Sequence, residues 1–524
     1  MREKVFHFFG LSFLFLYPFF KFVLHQGYPL GRFEILIYAV VWFCLVLLLV
    51  IGTGRPFPIT LFVFFLFLLF FTTAPKTIPP GGLWTRGVMS LALAGLFWKF
   101  PRRMFRLLAI FVAGVLITDL GLYLSSHNDI TPPRPSGASP QALTVIPSDP
   151  PHHILYLILD EHIGLAGMPS QVPETDAAKK QIASFYEKYR FTLFGRAYSP
   201  YFYSDNSISN VLNRTTLTDK DAYFSRDEDD VRILKENRFF ERMAALGYRI
   251  NVYWPDYIDF CATSPVDVCY RYSKNSILSI GDAPLNRLEK TWVVGSLFLA
   301  TNSLFREIDK RVRDRNIFKI KTGPITVVPD LLKRVGEDMR TAEHNTLFFA
   351  HVLMPHFPYV YDARCGMRPV KDWRNRNEFN DEHKKNSPTG YRERYRLYYE
   401  QMECLNRWLA GLFDELKEAG LYDQATIVVH GDHGSRINLE HDPYYDYHAS
   451  LSEKDLVTSF STLLAVKQPG QAVGGISGEM GDVGGILSAV LDEGGEYHEK
   501  GPHLVYLKQK KGKRELMSYP MPAL

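Results

Sequence analysis

Carboxylate and imidazole side chains follow two apolar runs that lie far apart in the sequence. Asp160 and Glu161 come directly after a run of six apolar residues, and Asp432 and His433 lie just beyond another run, which ends at Val429. Apolar runs that stop at polar residues are typical of buried parallel strands, whose carboxyl ends share one edge of the sheet. In open α/β sheets that edge is where ligand sites form.

The chemistry predicted for these four side chains is metal binding. Carboxylate oxygens and imidazole nitrogens favour Zn²⁺ or Mn²⁺, with Mg²⁺ or Ca²⁺ as alternatives. Because side chains alternate along a strand, only one of Asp160 and Glu161 is expected to face the metal, and the sequence leaves open which one. Glycines on both sides of Asp432-His433 would let the backbone approach the metal closely. The alternative is a polar turn, since Gly-Asp-His-Gly is also a turn sequence.

A hydroxyl-rich segment, residues 197–213, supplies candidate nucleophiles for such a site. It reads as a loop followed by the start of a helix. A hydroxyl at a helix amino terminus lies at the positive end of the helix dipole, which favours an alkoxide and a bound phosphate. The alternative is that Ser204 or Asp205 only caps the helix.

The composition divides the chain into two parts. Its 524 residues are enough for more than one domain, and its 60 basic and 56 acidic residues give no support for a nucleic-acid surface. Residues up to about 126 are dominated by Phe, Leu, Val and Ile, whereas the remainder has the composition of a globular protein. We therefore expect a transmembrane domain over residues 1–125 and a catalytic domain over residues 152–524.

Five apolar stretches in the first part have the length of bilayer-spanning helices: 6–24, 33–51, 57–71, 83–98 and 105–123. The fourth is short and contains Arg86. With the amino terminus inside, the inner loops carry Arg2, Lys4, Arg55, Lys99, Arg102, Arg103 and Arg106, against Arg32, Lys76 and Arg86 outside. Five spans then place the catalytic domain on the periplasmic or extracellular side of the plasma (inner) membrane, and four spans would place it inside.

The cysteines agree with an exported domain. Cys44 lies in a predicted span, and the other four cysteines all lie in the second part of the chain. An even number of cysteines in an exported domain suggests disulfides, and we favour the pairs Cys261–Cys269 and Cys365–Cys404 among the three possible connectivities. Four buried thiols are the alternative for a cytosolic domain.

The second part begins with a linker and continues as alternating strands and helices. Residues 126–151 are rich in Pro and Ser, which predicts an extended tether. Strands are predicted at 154–159, 249–254, 347–354, 426–429 and 458–466, and helices at 174–189, 238–246 and 391–419. This alternation predicts a doubly wound α/β sheet sandwiched by helices. The stretch 282–329 fits no element.

Four motifs occur in an order that resembles a known family. They are the strand ending at Asp160-Glu161, the hydroxyl loop before Val211-Leu212-Asn213, the segment His351-Val352-Leu353-Met354-Pro355-His356-Phe357-Pro358-Tyr359, and Gly431-Asp432-His433-Gly434. Together they resemble the sulfatase-like branch of the alkaline phosphatase superfamily, in particular its membrane-anchored phosphoethanolamine and phosphoglycerol transferases. The resemblance covers about residues 154–469.

The resemblance implies roles for particular residues. It places Asp432, His433 and an acid at 160 or 161 on the metal, and it implies that Ser204 is both the nucleophile and a metal contact. The transferases usually have Thr at this position. Sulfatases instead have Cys or Ser as the nucleophile, followed by a Pro and an Arg, and the Cys or Ser is oxidised to formylglycine. Here Asp205, Asn206, Ser207 and Ile208 follow, so the Pro and the Arg are both missing, and the resemblance favours a plain hydroxyl that becomes phosphorylated.

Four further residues are expected at the substrate. His356 matches the family histidine that contacts the transferred group or a second metal. Arg436 is a candidate phosphate clamp, with a surface ion pair as the alternative. His441 or His448 is a candidate for the histidine that follows the Asp-His-Gly element in the family.

The function implied by the resemblance and the anchor is a two-step transfer. A phosphoethanolamine- or phosphoglycerol-type group would move from a membrane phospholipid donor to a cell-envelope glycan or lipid, through a covalent phospho-serine. The alternatives are a membrane-anchored phosphodiesterase or sulfatase that acts on envelope glycans, and a catalytically inactive envelope scaffold.

Overall fold

The fold comes from a computed structural model. It describes residues 152–219, 223–226, 232–255, 257–272, 285–301, 323–369, 387–437, 448–492, 494–510 and 515–524, the isolated residues 280, 372 and 373, and amino-terminal residues 16, 19–24, 28, 30–52, 91, 92, 95 and 99. The predicted linker 126–151 and the predicted spans 57–71 and 105–123 lie outside the described residues.

An eight-stranded mixed sheet is the centre of the catalytic part. Its strands are β1 (His153–Leu159), β2 (Thr192–Tyr198), β5 (Arg249–Pro255), β7 (Val268–Tyr272), β8 (Thr346–Val352), β9 (Thr426–Gly431), β10 (Leu464–Lys467) and β11 (Gly475–Asp482). They are arranged in the order β11-β2-β10-β9-β1-β8-β5-β7. Only β10 runs antiparallel to its neighbours. The central strands β1, β8 and β9 are buried along their whole length, as their continuous apolar runs predict.

Two smaller sheets complete the strands. One joins β3 (Phe224–Arg226), β4 (Arg232–Leu234) and β6 (Ile258–Asp259), and the other pairs β12 (Leu504–Lys508) with β13 (Leu516–Pro520).

Helices cover both faces of the large sheet. The described helices are α1 (Phe33–Gly52), α2 (Thr175–Lys188), α3 (Ser204–Asn213), α4 (Arg238–Ala245), α5 (Arg287–Thr301), α6 (Val328–Thr341), α7 (Pro388–Glu418), α8 (Glu453–Phe460) and α9 (Val483–Leu487). Helices α3, α4 and α9 pack on one face through a core that includes Tyr156 and Ile158 of β1. Helix α7 contacts both α2 and α6, while α2 contacts β2 and α6 contacts β8. The expected α/β sandwich is therefore present.

One predicted strand differs from the structure. The run 458–466 is expected to be extended, but its first residues form the end of α8, and β10 begins only at Leu464. The reason is a local cap, because the Ser452 side chain accepts a hydrogen bond from the Asp455 backbone N–H and starts the helix. The helices predicted at 174–189 and 391–419 are formed as α2 and α7, to within a few residues.

The chain forms two compact units. One contains Pro132–Lys274 and Thr322–Leu524, and the other contains Met1–Thr131 together with Asn275–Lys321. The sequence analysis assigns Asn275–Lys321 to the catalytic domain, whereas the structure groups this segment, with its helix α5, with the amino-terminal residues. None of the helices among the described residues is both long enough and apolar enough to cross a bilayer.

The four cysteines of the catalytic part form two disulfides, Cys261–Cys269 and Cys365–Cys404. They are the two pairs that the sequence analysis favours. We expect the bridge Cys365–Cys404 to stabilise the fold more than Cys261–Cys269, because it closes a loop with a sequence separation of 39 residues rather than 8. Replacing Cys365 and Cys404 by Ser should lower the free energy of unfolding by about 3–4 kcal/mol, and replacing Cys261 and Cys269 should lower it by about 2–3 kcal/mol. Thermal unfolding of the two double variants measures the difference, and equal losses would contradict it.

Candidate active site

The topology brings the two predicted acidic strand ends side by side. Strand β1 pairs in parallel with β9, with Leu159 opposite Gly431, so Asp160 and Asp432 emerge at the same edge of the sheet. On its other side β1 pairs in parallel with β8, with Ile158 opposite His351. Three neighbouring strands therefore deliver polar side chains to one place, as expected for the carboxyl edge of a parallel sheet.

Asp160, Asp432 and His433 form a compact, buried cluster. Each offers one ligand atom, and these atoms all lie within 4.8 Å of one another. The Nε2 atom of His433 is 3.3 Å from Oδ2 of Asp432. Oδ1 of Asp160 and Oδ2 of Asp432 are buried without a hydrogen-bond partner. Two unsatisfied carboxylate oxygens beside an imidazole are a donor set that suits a divalent cation, so these residues fit the predicted metal site.

The other oxygen of Asp432 is held in place by the backbone. Its Oδ1 accepts hydrogen bonds from the N–H of Glu161 at 2.8 Å and from the N–H of His433 at 2.9 Å. The Ser207 hydroxyl donates to the Asp432 carbonyl oxygen, and it accepts a hydrogen bond from the Ser199 hydroxyl at 2.8 Å. Asp432 is therefore positioned by the site before any ligand binds.

Electrostatics also favour a cation. Burial and the neighbouring Asp432 carboxylate raise the pKa of Asp160 well above its usual range. Burial also acts to raise the pKa of Asp432, but His433, Ser204 and the Glu161 N–H outweigh burial, and the net pKa is lowered. Burial lowers the pKa of His433 to about 4, so its imidazole is neutral at pH 7 and can act as a ligand. A divalent cation would relieve the repulsion between the two carboxylates.

Of the two adjacent acids, Asp160 is the one in the cluster. Glu161 has a positive φ of 61°, which turns its side chain away, and its carboxylate accepts hydrogen bonds from the Arg436 guanidinium, including one from Nε at 3.0 Å. Arg436, which also has a positive φ of 51°, is only 7% exposed. The expected phosphate clamp is therefore a buried ion pair with Glu161 in this structure, and it is not a surface pair.

This buried pair yields a stability prediction. Burial acts to lower the pKa of Arg436, but the Glu161 carboxylate outweighs burial and the net pKa is raised, so the guanidinium is charged at neutral pH. Removing the guanidinium with Arg436→Met leaves a buried carboxylate without its main partner, and we expect a loss of about 3–5 kcal/mol. The double variant Arg436→Met/Glu161→Gln should recover most of that loss. Thermal unfolding of the single and double variants measures it, and additive losses would contradict the pairing.

Ser204 lies against the cluster at the start of a helix. It is the first residue of α3, it is buried, and its Oγ is 3.4 Å from Nε2 of His433. The capping position is occupied by Tyr203, and its side chain does not cap the helix. Asp205 faces away from the cluster and pairs with Arg232 at 3.2 Å. The Ser204 hydroxyl is therefore placed at the positive end of a helix, next to the candidate metal ligands.

The glycines of Gly431-Asp432-His433-Gly434 have a packing role. A Cβ added at Gly431 would lie 2.4 Å from the His162 carbonyl oxygen, and one added at Gly434 would lie 2.1 Å from the Thr458 carbonyl oxygen. The expected close approach is made to neighbouring backbone, and it fixes the loop that carries Asp432 and His433.

Helix α7 supports the loops around the site. The Tyr395 hydroxyl is 3.0 Å from the Ser435 hydroxyl, just beyond the Asp-His-Gly element. The Tyr398 hydroxyl donates to the Glu161 carbonyl oxygen and accepts from the Ile163 N–H at 2.9 Å. The rigid helix thus anchors both sequence elements that carry the candidate ligands.

His356 lies beside the buried ion pair, on a loop that α7 also holds. Its Nε2 is 3.8 Å from Oε1 of Glu161, and its Nδ1 donates to the Phe357 carbonyl oxygen at 2.5 Å. The Gln401 amide donates to the His356 carbonyl oxygen at 2.9 Å. The side chain is 28% exposed, so His356 is open to a substrate.

The two histidines proposed for the end of the motif have different outcomes. His441 lies outside the described residues. His448 is exposed, and its ring stacks on the ring of Tyr519 with the centroids 4.0 Å apart. Its role at the substrate stays a prediction.

His351 is a site residue that the sequence analysis does not select. It lies near the end of β8, fully buried, with Nε2 3.7 Å from Oδ2 of Asp160 and both ring nitrogens without a hydrogen-bond partner. Burial lowers its pKa to about 4, so the ring is neutral at pH 7. The sequence held one signal, because His351 is a polar residue inside an apolar strand. In the structure His351 lies opposite Ile158, two residues before Asp160, and is therefore on the same face of the sheet as Asp160.

We expect His351 to orient Asp160 for metal binding. A shift of less than about 1 Å would let its N–H donate to the carboxylate. Partners of this kind usually contribute about 10–100-fold to metal affinity, so His351→Ala should weaken Zn²⁺ or Mn²⁺ binding by that factor, and His351→Gln should restore part of it. Competition with a chromophoric chelator measures the affinity. Unchanged affinity in His351→Ala would contradict the role.

The geometry agrees with the comparison to known families. The chain matches the model of the family described as Sulfatase over residues 158–467, which is more than half of its length and includes Asp160, Ser204, His356 and Asp432. No curated protein matches the chain.

Solved structures with distant similarity include two proteins and one protein domain. The putative sulfatase yidJ from Bacteroides fragilis is 12% identical, with 68% of this chain and 75% of that chain covered and a TM-score of 0.38. The C-terminal periplasmic domain of EcEptC from Escherichia coli is 13% identical, with 71% and 93% covered and a TM-score of 0.39. The phosphonate monoester hydrolase of Agrobacterium radiobacter is 12% identical, with 68% and 79% covered and a TM-score of 0.38. On the strength of the family match, the chain belongs to the sulfatase family.

Proposed function

We propose that this chain is a membrane-anchored transferase. It moves a phosphoethanolamine- or phosphoglycerol-type group from a membrane phospholipid to a hydroxyl of a cell-envelope glycan or lipid, on the periplasmic or extracellular side of the membrane. The observation that carries the proposal is the position of Ser204. It is the first residue of α3, and its Oγ is 3.4 Å from Nε2 of His433 in the candidate metal cluster. The apolar amino-terminal sequence supports the lipid donor, because it would hold the site beside a membrane.

In the first step, Ser204 Oγ attacks the phosphorus of the phospholipid headgroup. A bond forms between Oγ and phosphorus, and the bond from phosphorus to the diacylglycerol oxygen breaks. Diacylglycerol leaves with a proton that balances the one lost by the serine hydroxyl. The headgroup phosphate is then a diester of Ser204.

In the second step, an acceptor hydroxyl attacks the same phosphorus. The bond to Ser204 Oγ breaks, the serine regains a proton from the acceptor, and the headgroup phosphate becomes an ester of the glycan or lipid. His356 is the candidate to orient the group or to protonate the leaving oxygen, since its ring is partly exposed beside Glu161.

The remaining residues prepare the serine for this chemistry. A divalent cation held by Asp160, Asp432 and His433 would lower the pKa of the Ser204 hydroxyl and polarise a phosphoryl oxygen. The amino terminus of α3 favours negative charge on both Oγ and the phosphate. Burial of Ser204 limits access of water to the serine ester.

The second candidate function is hydrolysis by the same site, with water as the acceptor. Membership of the sulfatase family supports it. In the sequence, Ser204 is followed by Asp205, Asn206, Ser207 and Ile208, so the Pro and the Arg that follow the nucleophile in true sulfatases are both missing, which favours phosphoryl over sulfuryl chemistry.

The test uses the full chain in vesicles that contain phosphatidylethanolamine and phosphatidylglycerol with radiolabelled headgroups, with an envelope glycolipid as acceptor. Release of diacylglycerol together with label on the glycolipid supports transfer. Label released as free headgroup phosphate supports the hydrolase. Cleavage of an added sulfate ester without release of diacylglycerol supports a sulfatase. Absence of transfer, of phospholipid hydrolysis and of sulfate-ester cleavage supports the scaffold.

A further inference from the structure

Helix α5 belongs to a segment that interrupts the catalytic sequence. The chain leaves the catalytic unit after Lys274 and returns to it at Thr322, and the segment between them groups with the amino-terminal residues. The two-domain division expected from the sequence instead assigns this segment to the catalytic domain. Its one helix among the described residues therefore calls for a separate explanation.

One face of α5 is buried in its own unit. Val293, Val294, Leu297 and Phe298 are each at most 4% exposed. The ring of Phe298 makes an edge contact with Phe19, with the centroids 5.4 Å apart. This face is the packing face of the helix and needs no further partner.

The opposite face of α5 is apolar and exposed. Leu288 is 74% exposed and Trp292 is 58% exposed, and they lie one helical turn apart. Helix α1 of the same unit exposes Leu36 and Val40 in the same one-turn spacing. Eight of the thirteen exposed large apolar side chains among the described residues belong to this unit, although most described residues belong to the catalytic unit. Exposed apolar surface concentrated in this way marks an interaction site.

The basic residues at the start of the helix and after it in the sequence suit an anionic surface. Arg287 is exposed at the start of the helix, with its guanidinium 4.4 Å from the centroid of the Phe33 ring. In the sequence, residues 302–321, which follow the helix, contain seven Lys or Arg against three Asp or Glu. That surplus equals the formal charge of +4 of the whole chain. Positive charge beside Trp and Leu is the usual composition of a helix that lies on anionic lipid.

We propose that the face of α5 formed by Leu288 and Trp292 docks onto a lipid bilayer that contains anionic phospholipid. The helix has 15 residues and a length of about 22 Å, which is less than the roughly 30 Å of a bilayer core, so it lies in the interface and does not cross it. The Trp292 indole sits at the headgroup level and Leu288 inserts among the acyl chains. This inference rests on the membrane placement in the proposed function, and it adds a second lipid contact in the middle of the catalytic sequence.

The test labels single positions of the full chain. In a Cys44→Ser background, which removes the free cysteine, Leu288→Cys is labelled with the fluorophore NBD and reconstituted in vesicles of phosphatidylethanolamine and phosphatidylglycerol. The matched control is Val473→Cys, because Val473 is 76% exposed and belongs to the catalytic unit. We expect a blue shift and at least 2-fold quenching by nitroxide-labelled lipid for position 288, and neither for position 473.

Other results would overturn the inference. Quenching at 288 equal to that at 473 shows that the face does not contact lipid. A blue shift at 288 without quenching by labelled lipid shows that protein, such as a second copy of the chain, covers the face. Flotation of the vesicles separates this inference from the proposed function. A chain that does not float with lipid contradicts both the membrane anchor and the docking of α5, whereas a chain that floats without quenching at position 288 contradicts only the docking. Headgroup transfer by the same preparations reports on the reaction independently of the label.

Discussion

Ser204→Ala is expected to lower headgroup transfer by about 10³-fold or more, because it removes the atom that forms the covalent intermediate. The fold should survive, since Ser204 is not the cap of its helix and its hydroxyl interacts with Asp432 and His433 of the candidate cluster. Metal content should stay close to that of the wild type if Asp160, Asp432 and His433 supply the main ligands. A variant that transfers at the wild-type rate would contradict the role of Ser204.

Intact mass measures the same prediction directly. Protein expressed in a bacterial membrane should carry an adduct with the mass of phosphoethanolamine or phosphoglycerol, and the Ser204→Ala variant should carry none. The matched control is Ser209→Ala, because Ser209 is a buried serine of the same helix whose hydroxyl donates to the Asp205 carbonyl oxygen. An adduct that persists in Ser204→Ala but disappears in another variant would move the nucleophile to that residue.

The sequence predicts the metal cluster because two simple rules meet there. Apolar runs mark buried parallel strands, and the carboxyl ends of neighbouring strands meet at one edge, so Asp160 and Asp432 had to be close if β1 and β9 were neighbours. The alternation rule also predicts that only one of Asp160 and Glu161 can join the cluster. It does not say which, because the positive φ of Glu161 is a property of the folded turn.

The features that the sequence does not predict depend on long-range packing. The partner of Arg436 is Glu161, which is 275 residues away and reaches it only because both loops turn through left-handed conformations. His351 looks like an irregularity in an apolar strand until the pairing of β8 with β1 places it beside Asp160. The grouping of residues 275–321 with the amino terminus has no local signal either, because helix α5 is compatible with either unit until its contacts are known.

Asp432→Asn is expected to lower metal affinity by more than about 100-fold and to abolish transfer. The substitution keeps the shape of the side chain, and the amide oxygen can still accept the hydrogen bonds from the Glu161 and His433 backbone. It removes the negative charge that a divalent cation would bind. Groups that only orient a ligand contribute about 10–100-fold, so loss of a direct ligand should exceed that range.

Thermal unfolding with and without Zn²⁺ or Mn²⁺ gives a second measurement that does not depend on activity. A cation at 100 times its dissociation constant should stabilise the wild type by about 2.7 kcal/mol and Asp432→Asn by much less. Without metal, the two proteins should differ much less, because relief of the carboxylate repulsion that raises the pKa of Asp160 offsets the loss of the contacts that lower the pKa of Asp432. Asp205→Asn is the control, since that carboxylate is also buried but pairs with Arg232 outside the cluster. If Asp432→Asn binds metal as tightly as Asp205→Asn does, the cation is held elsewhere.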